Sequence, residues 1–273
     1  MKKVTNDSNS DMKALEGFEY KQELKRTLKF FGVFAVAFSA ISITTGTFQN
    51  YGLVMNTIGP MGIWAFPVVG FGSILIALIF CELASLMPIT GQCYLWVSKF
   101  YGKGLGWFVG WITFCYMIVI IPSISNSIGP VLGSLLGIEV TPQFTTIVGV
   151  AVLTLHLIIN IFSVKLSSII TNASVITESA GILLLTIVLG IVAFRNNAPV
   201  SNLVAVNSAV SGKSLIGPFL MSSLMGFYTL VAFESAANMS DETQGASKNV
   251  PKAMMASIIL STIFGTLFLI AAT

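Results

Sequence analysis

Most of the chain consists of long apolar segments separated by short polar turns. Charged residues are absent from 30 to 81, from 104 to 138 and from 253 to 273. A helix that spans a bilayer needs about 20 apolar residues, and its backbone polar groups bond within the helix itself. The pattern therefore predicts an all-α polytopic membrane protein. The seven predicted transmembrane helices are 30–56, 61–87, 105–128, 143–163, 167–193, 215–239 and 252–273.

Composition and charge placement add an orientation to this prediction. Of the 273 residues, 55% are hydrophobic and 9% are charged, whereas soluble domains carry about 25% charged residues. Of the 14 lysines and arginines, all except Arg195 and Lys213 fall in the N-terminal tail and in loops on the same side of the predicted helices. Because positively charged loops stay in the cytoplasm, we expect a cytoplasmic N-terminal tail at 1–29. The predicted location is the plasma (inner) membrane, which the chain crosses several times.

The first predicted span contains an unusually polar stretch, residues 42–52, which reads SITTGTFQNYG. Glycine costs about 1 kcal/mol in a helix relative to alanine, and threonine is also a weak helix former. We therefore expect the helix to unwind around Gly46 and a new half-helix to begin near Phe48. Free N–H groups at such a start, together with the helix dipole, favour a bound carboxylate. The alternative is that the Ser and Thr hydroxyls bond back to their own helix or pack against a neighbour.

Two acidic residues lie inside predicted spans, where a carboxylate is costly and marks a candidate functional group. Glu234 is in the sixth span, and Glu178 is in the middle of the fifth. Glu178 is a candidate proton carrier, because an apolar setting favours the neutral form of a carboxyl group. The alternatives are that Glu234 reaches water near a helix end and that Glu178 has only a structural role.

The sequence contains no motif typical of an enzyme or a metal centre. It lacks HExxH, GxSxG, a P-loop and a GxGxxG that follows a strand, and its three cysteines have no metal-binding spacing. The basic tail suits an anionic membrane surface better than nucleic acid. We therefore expect no enzyme activity, no cofactor, no metal and no nucleic-acid partner, with the lipid bilayer as the surrounding medium.

Four stretches resemble one family of transporters. They read SITTGTFQNYG (42–52), GPMGIW (59–64), CELASLMPITGQCYLWVSKFYGKGLGWFVGW (81–111) and FESAANMSDETQGASKNVPKAM (233–254). In this order they resemble the amino acid permeases of the amino acid–polyamine–organocation (APC) superfamily. Within that superfamily, the amino acid/choline (GABA-type) branch is the most similar. The resemblance covers nearly the whole chain.

This resemblance implies a five-plus-five inverted-repeat fold, in which helices 1 and 6 are broken at mid-membrane and the substrate binds between the breaks. Residues 30–193 would form the first repeat, and 194–273 would form the start of the second. The break in helix 1 would receive the substrate carboxylate, and the break in helix 6 would receive its amino group. The implied substrate-binding residues are Ser42, Thr44, Thr45, Gly46, Thr47, Tyr228, Thr229, Leu230 and Val231.

The resemblance also implies a role for each acidic residue. Glu234 matches an acidic position that couples to gating in relatives. Glu178 stands where many relatives carry a lysine that supports proton coupling, so we expect the neutral form of Glu178 to be the coupling group. Two further departures from the family pattern are Thr44 and Ala232, which stand where many relatives have glycine.

The implied function is secondary active transport of amino acids or related amines, as proton-coupled import. Family members have more helices than this chain. The resemblance therefore also implies a C-terminal truncation, with missing C-terminal helices or an oligomer to complete the bundle. The alternatives are a non-transporting subunit that binds or senses a ligand, and an inactive permease fragment.

Overall fold

Almost all of the regular structure in the computed structural model is α-helical. The structure describes residues 26–162 and 164–273, so the predicted tail lies outside the described residues up to residue 25. The α-helices, in chain order, are α1 (Phe30–Ile41), α2 (Ile43–Thr57), α3 (Ala65–Leu86), α4 (Gln92–Tyr101), α5 (Lys103–Asn126), α6 (Ile128–Leu136), α7 (Pro142–Phe162), α8 (Val164–Arg195), α9 (Ile216–Thr229), α10 (Ser235–Asn238) and α11 (Ala246–Ala272). Short 3₁₀ helices lie at Pro60–Trp64, Val200–Val204 and Ser240–Glu242.

Within the described residues, 6 helical segments are long and apolar enough to cross a membrane, judged by length and composition. They are Phe30–Thr57, Pro60–Leu86, Lys103–Leu136, Pro142–Phe162, Ala173–Arg195 and Ala246–Ala272. The remaining predicted span, 215–239, is divided into α9 and the short α10, with a non-helical segment between them. The all-α polytopic membrane class is therefore confirmed, and the first and sixth spans are both interrupted.

One helix begins well before its predicted start. Helix α11 begins at Ala246 rather than at 252. Gly245 adopts a left-handed conformation (φ 58°, ψ 49°), and its carbonyl accepts hydrogen bonds from the amides of Lys248 and Asn249. Pro251 then lies inside the helix. Because proline has no N–H, the hydrogen bond that it forgoes is the one to the carbonyl of Ser247 in the first helical turn.

The described chain forms two compact units. The first comprises the described residues up to Gln92 together with Val175–Thr273. In this unit α11 packs along α3 and α1, and α9 packs against α2 and α3. A Cβ atom on Gly226 would lie 2.7 Å from Cβ of Val69. Small residues of this kind let helix backbones approach closely, which drives helix association in lipid. Both interrupted spans therefore belong to one closely packed bundle.

The second unit comprises Cys93–Ser174. Helices α5 and α6 pack against α7 in this unit. Glycines again mark the close contacts, because a Cβ atom on Gly129 would lie 2.7 Å from Cα of Thr145. Trp107 and Trp111 stack along the exposed side of α5 with their ring centroids 6.0 Å apart.

The end of the N-terminal tail is held to the loop that follows α10. The amide of Leu28 donates to the carbonyl of Glu242 at 2.8 Å, and the amide of Gln244 donates to the carbonyl of Leu28 at 2.9 Å. Thr243, which lies between these two partners, is fully buried. This short backbone pairing fixes the start of α1 against the segment that leads into α11.

Candidate functional site

The first spanning segment is interrupted at Ser42, between α1 and α2. Ser42 has φ 39° and ψ 81°, a left-handed conformation that residues other than glycine rarely adopt. The prediction that the helix unwinds around Gly46 and resumes near Phe48 is wrong by about one turn. The amide of Gly46 already donates to the carbonyl of Ser42 at 3.2 Å, so Gly46 lies in the first turn of α2.

Gly46 has a packing role that explains its place in the sequence. A Cβ atom on Gly46 would overlap Oγ1 of Thr229 and would lie 2.8 Å from its Cα. Both residues are buried, and Thr229 is the last residue of α9. The two interrupted spans therefore cross directly beside their breaks. Glycine is required here for the close approach of two backbones rather than to unwind a helix.

The second break occupies residues 230–234, between α9 and α10. The amide of Leu230 donates to the carbonyl of Gly226 at 2.8 Å and closes the last turn of α9. Ala232 has φ 68°, a conformation that favours glycine. Of the binding residues that the resemblance implies at this break, Tyr228 and Thr229 therefore still belong to α9, and Leu230 and Val231 lie in the irregular segment.

Two contacts hold the second break in place. Nε2 of Gln92 donates to the carbonyl of Glu234 at 2.6 Å. The ring of Phe233, which is buried, packs edge-on against Phe80 with a centroid distance of 5.8 Å. The chain between α9 and α10 is therefore a fixed irregular segment, and the Glu234 side chain at its end is half-buried.

Glu178 lies near the middle of α8, and its carboxylate reaches the first break. Its Oε1 atom accepts hydrogen bonds from Oγ of Ser42 at 2.9 Å and from Oγ1 of Thr44 at 2.9 Å. It also accepts the amide of Thr44 at 3.2 Å. The first N–H groups of a helix have no acceptor inside the helix. Glu178 supplies an acceptor to one of them, so the N-terminal end of α2 carries a bound carboxylate from its own chain.

The hydroxyls of the polar stretch divide into two groups. Thr47 donates to the carbonyl of Ile43 at 2.7 Å, as expected if threonine bonds back to its own helix. Ser42 and Thr44 instead turn toward Glu178, and Oγ of Ser42 lies 2.8 Å from Oγ1 of Thr45. The sequence shows all of these residues as polar positions of one span but does not connect them with Glu178. The available signal was that a carboxylate inside an apolar helix needs polar partners.

An apolar cavity of about 170 Å³ lies beside the first half of α2. It is lined by Thr47, Phe48, Tyr51, Leu185, Leu189, Phe268 and Ala272. These residues come from α2, α8 and α11, all within the first unit. The cavity could receive an uncharged side chain of a small molecule held at the breaks.

Comparison with known proteins places the chain in a family. A family model described as "Amino acid permease" matches residues 28–273. The chain belongs to the amino acid permease family. Over 268 residues it is 25% identical to "Amino-acid permease BAT1" of Arabidopsis thaliana. This alignment covers 92% of this chain and 52% of the plant protein. Over 271 residues it is 26% identical to "Amino-acid permease BAT1 homolog" of Oryza sativa subsp. japonica, covering 93% and 52% of the two chains.

A shorter match is with a transporter that is named for a different solute. Over 110 residues the chain is 33% identical to "Thiamine transporter thi9" of Schizosaccharomyces pombe, covering 40% of this chain and 18% of that protein. The chain spans about half the length of the two plant relatives that it matches. With its apolar helices, family membership makes this a multi-pass membrane protein related to transporters.

The strained residue of the second break gives a prediction about stability. Ala232→Gly is expected to raise the free energy of unfolding by about 1 kcal/mol, because glycine adopts the left-handed conformation without the steric cost that Cβ imposes. The matched control is Ala237→Gly in α10, where the buried helical alanine should lose about 1 kcal/mol. Thermal unfolding of the purified chain in detergent would measure both. A loss of stability in Ala232→Gly equal to that of the control would contradict this description of the break.

Proposed function

We propose that the chain takes part in secondary active transport of amino acids or related amines, as a proton-coupled importer. The observation that carries this proposal is the crossing of α2 and α9 at Gly46 and Thr229, which brings the two breaks together. A helix N-terminus favours an anion, and a helix C-terminus favours a cation. The start of α2 and the end of α9 thus offer complementary ends to a zwitterion.

Each end of the zwitterion has candidate partners. The substrate carboxylate would bind the first turn of α2, at Ser42, Thr44 and Thr45. The ammonium group would bind carbonyls at the end of α9, from Tyr228 to Val231, because the last carbonyls of a helix have no donor within it. Tyr228 would cover the bound molecule, and the apolar cavity beside α2 would receive its side chain.

Proton coupling and orientation belong to the same proposal. Glu178 is the proposed coupling group, and Glu234 is the proposed gating group at the end of the second break. Twelve of the 14 lysines and arginines lie on one predicted side of the membrane, which supports a cytoplasmic N-terminus in the plasma membrane. We propose 30–193 as the first repeat and 194–273 as the start of the second, with further helices or other subunits completing the transport path.

A second candidate function is ligand binding without transport. It is favoured by one observation: both breaks, and Glu178 with them, lie within the first compact unit of this chain. Binding at the breaks would then require only residues that the chain itself supplies. A binding or sensing subunit would show ligand affinity but would not accumulate solute.

Solute binding and uptake distinguish these proposals. We expect the chain in lipid nanodiscs to bind a zwitterionic amino acid at least about tenfold more tightly than the corresponding amino acid amide or decarboxylated amine, because only the zwitterion contacts both helix ends. In proteoliposomes, an inward proton gradient should drive uptake of the same solute. Binding without uptake would favour the subunit function. Absence of saturable binding to any tritiated standard L-amino acid would contradict the proposal.

A further inference from the structure

The carboxylate of Glu178 occupies the end of α2 to which the proposed function assigns the substrate carboxylate. We propose that Glu178 is a tethered competitor for the substrate carboxylate, and that it leaves the start of α2 only when it takes up a proton. This inference rests on the proposed function. It makes Glu178 the residue that decides when the site accepts an amino acid.

The geometry supports competition rather than joint binding. A single oxygen, Oε1, accepts the hydroxyls of Ser42 and Thr44 and the amide of Thr44. These are three of the donors that a substrate carboxylate would need at the first turn of α2. Each hydroxyl has only one proton to donate. A second carboxylate at the same place would therefore lack donors and would also be repelled by the charge of Glu178.

The charge of Glu178 is held by neutral groups. Its donors are two hydroxyls and one amide, so no cationic side chain takes part in these bonds. The titratable groups of the neighbouring helices are few: α1 and α2 carry only Tyr51, α9 carries Tyr228 near its end, and α11 carries Lys248 and Lys252 in its first two turns. Arg195 ends α8, about 26 Å along the helix from Glu178 at 1.5 Å per residue. Among the residues whose side chains the structure describes, protonation thus removes a charge whose hydrogen-bond donors are all neutral.

Protonation changes both the strength and the direction of these hydrogen bonds. The carboxylate form accepts charge-assisted bonds, which are roughly twice as strong as neutral ones. When a solvent proton binds to Glu178, the neutral carboxyl group accepts these bonds less strongly and gains a donor of its own. The substrate carboxylate, still charged, then takes the donors of Ser42 and Thr44. One proton is therefore bound for each carboxylate that enters, which is the stoichiometry of a symporter.

The inference predicts that binding affinity weakens at alkaline pH only for ligands that carry a carboxylate. Affinity for an amino acid should fall about tenfold for each pH unit above the transition, because binding is linked to uptake of one proton. A decarboxylated amine does not compete for the donors of Ser42 and Thr44, so its affinity should not fall in this way. Affinity for the amine would fall only at the acidic end, where Glu178 loses the negative charge that attracts it.

The test uses the full chain in lipid nanodiscs, with a mixture of the tritiated standard L-amino acids as the probe, from acidic to alkaline pH. We expect Glu178→Gln to bind the amino acid that the original chain selects from this mixture, with the same affinity at all pH values. This affinity should be at least as high as that of the original chain at acidic pH. Glu82→Gln is the matched control, since Glu82 is an exposed glutamate at the end of α3. This control should keep the original pH dependence.

The outcomes separate the two proposals. If Glu178→Gln keeps the original pH dependence, Glu178 is neither a competitor nor the coupling group, so the inference and that role are overturned while the proposed zwitterion site at the two breaks stands. If Glu178→Gln folds and loses affinity at every pH, Glu178 is not a competitor and the inference is overturned. If the original chain binds no amino acid at any pH, both proposals fail. Should Glu178→Gln not fold, Ser42→Ala gives the same test: the loss of one donor to Glu178 should move the binding transition to higher pH, and an unmoved transition would overturn the inference.

Discussion

Gly46→Ala is expected to abolish ligand binding and to lower the free energy of unfolding by about 1–3 kcal/mol, the usual cost of overpacking a filled core. The added Cβ would overlap Oγ1 of Thr229 and come within 2.8 Å of its Cα. Because the second contact is with backbone, rotation of the Thr229 side chain cannot relieve it. The two interrupted helices would have to move apart, which separates the two halves of the proposed site. Unfolding in mixed detergent micelles and amino acid binding in nanodiscs would measure these two effects.

The matched control for this prediction lies in the same helix. Gly52 is also in α2, but a Cβ atom there would meet nothing within 4 Å. Gly52→Ala should therefore bind normally and should gain up to about 1 kcal/mol from the higher helix propensity of alanine. Thr229→Ala should fail to rescue Gly46→Ala, since the backbone contact remains. Normal binding by Gly46→Ala would show that α2 and α9 do not cross at this point.

Gly70→Ala is expected to separate α11 from α3 and to cost about 1–3 kcal/mol of unfolding free energy. The added Cβ would overlap Cγ2 of Thr262 and would lie 2.8 Å from its Oγ1. In lipid no hydrophobic effect drives α3 and α11 together, so their association depends on the close packing of small residues. Unfolding of the purified chain in mixed micelles would measure the loss.

The Gly70 prediction differs from the Gly46 prediction in how it can be rescued. The atoms that obstruct a Cβ at Gly70 belong to the side chain of Thr262. Thr262→Ala removes the two closest atoms, Cγ2 and Oγ1, and leaves only Cβ, 3.1 Å from the added Cβ, so the double variant should regain most of the lost stability. Gly72, in the same helix, has no neighbour within 4 Å of such a Cβ, and Gly72→Ala should not be destabilised. Equal losses in Gly70→Ala and Gly72→Ala would contradict the packing of α3 against α11.

The membrane-spanning helices could be predicted because their signal is local and strong. Charge-free runs of apolar residues account for most of α3, all of α7 and the part of α11 after Lys252, since a helix in lipid must satisfy its backbone within its own segment. The sixth span shows the limit of this signal. Hydropathy indicates one helix at 215–239, whereas the chain leaves the helix after Thr229 and resumes it at Ser235.

The exact position of the first break could not be predicted from helix propensity. Propensity identified Gly46 as the weak point, but the helix is interrupted at Ser42, where a carboxylate from residue 178 binds. Ser42 and Glu178 are 136 residues apart in the sequence, so only the packed structure brings them together. Gly46 lies inside α2 instead, where it makes room for Thr229. A glycine in a helical sequence can indicate either a break in the helix or the close approach of another backbone, and the sequence alone does not distinguish the two.

The most direct test of the proposed site is a ligand-bound density map of the chain in nanodiscs at acidic pH. The proposal predicts that the ligand carboxylate lies at Ser42 and Thr44, with its ammonium group at the carbonyls that follow Tyr228. Glu178 would then have moved away from the amide of Thr44. A ligand bound away from both breaks, or a bound amino acid with Glu178 still on Thr44, would contradict the site proposed for this chain.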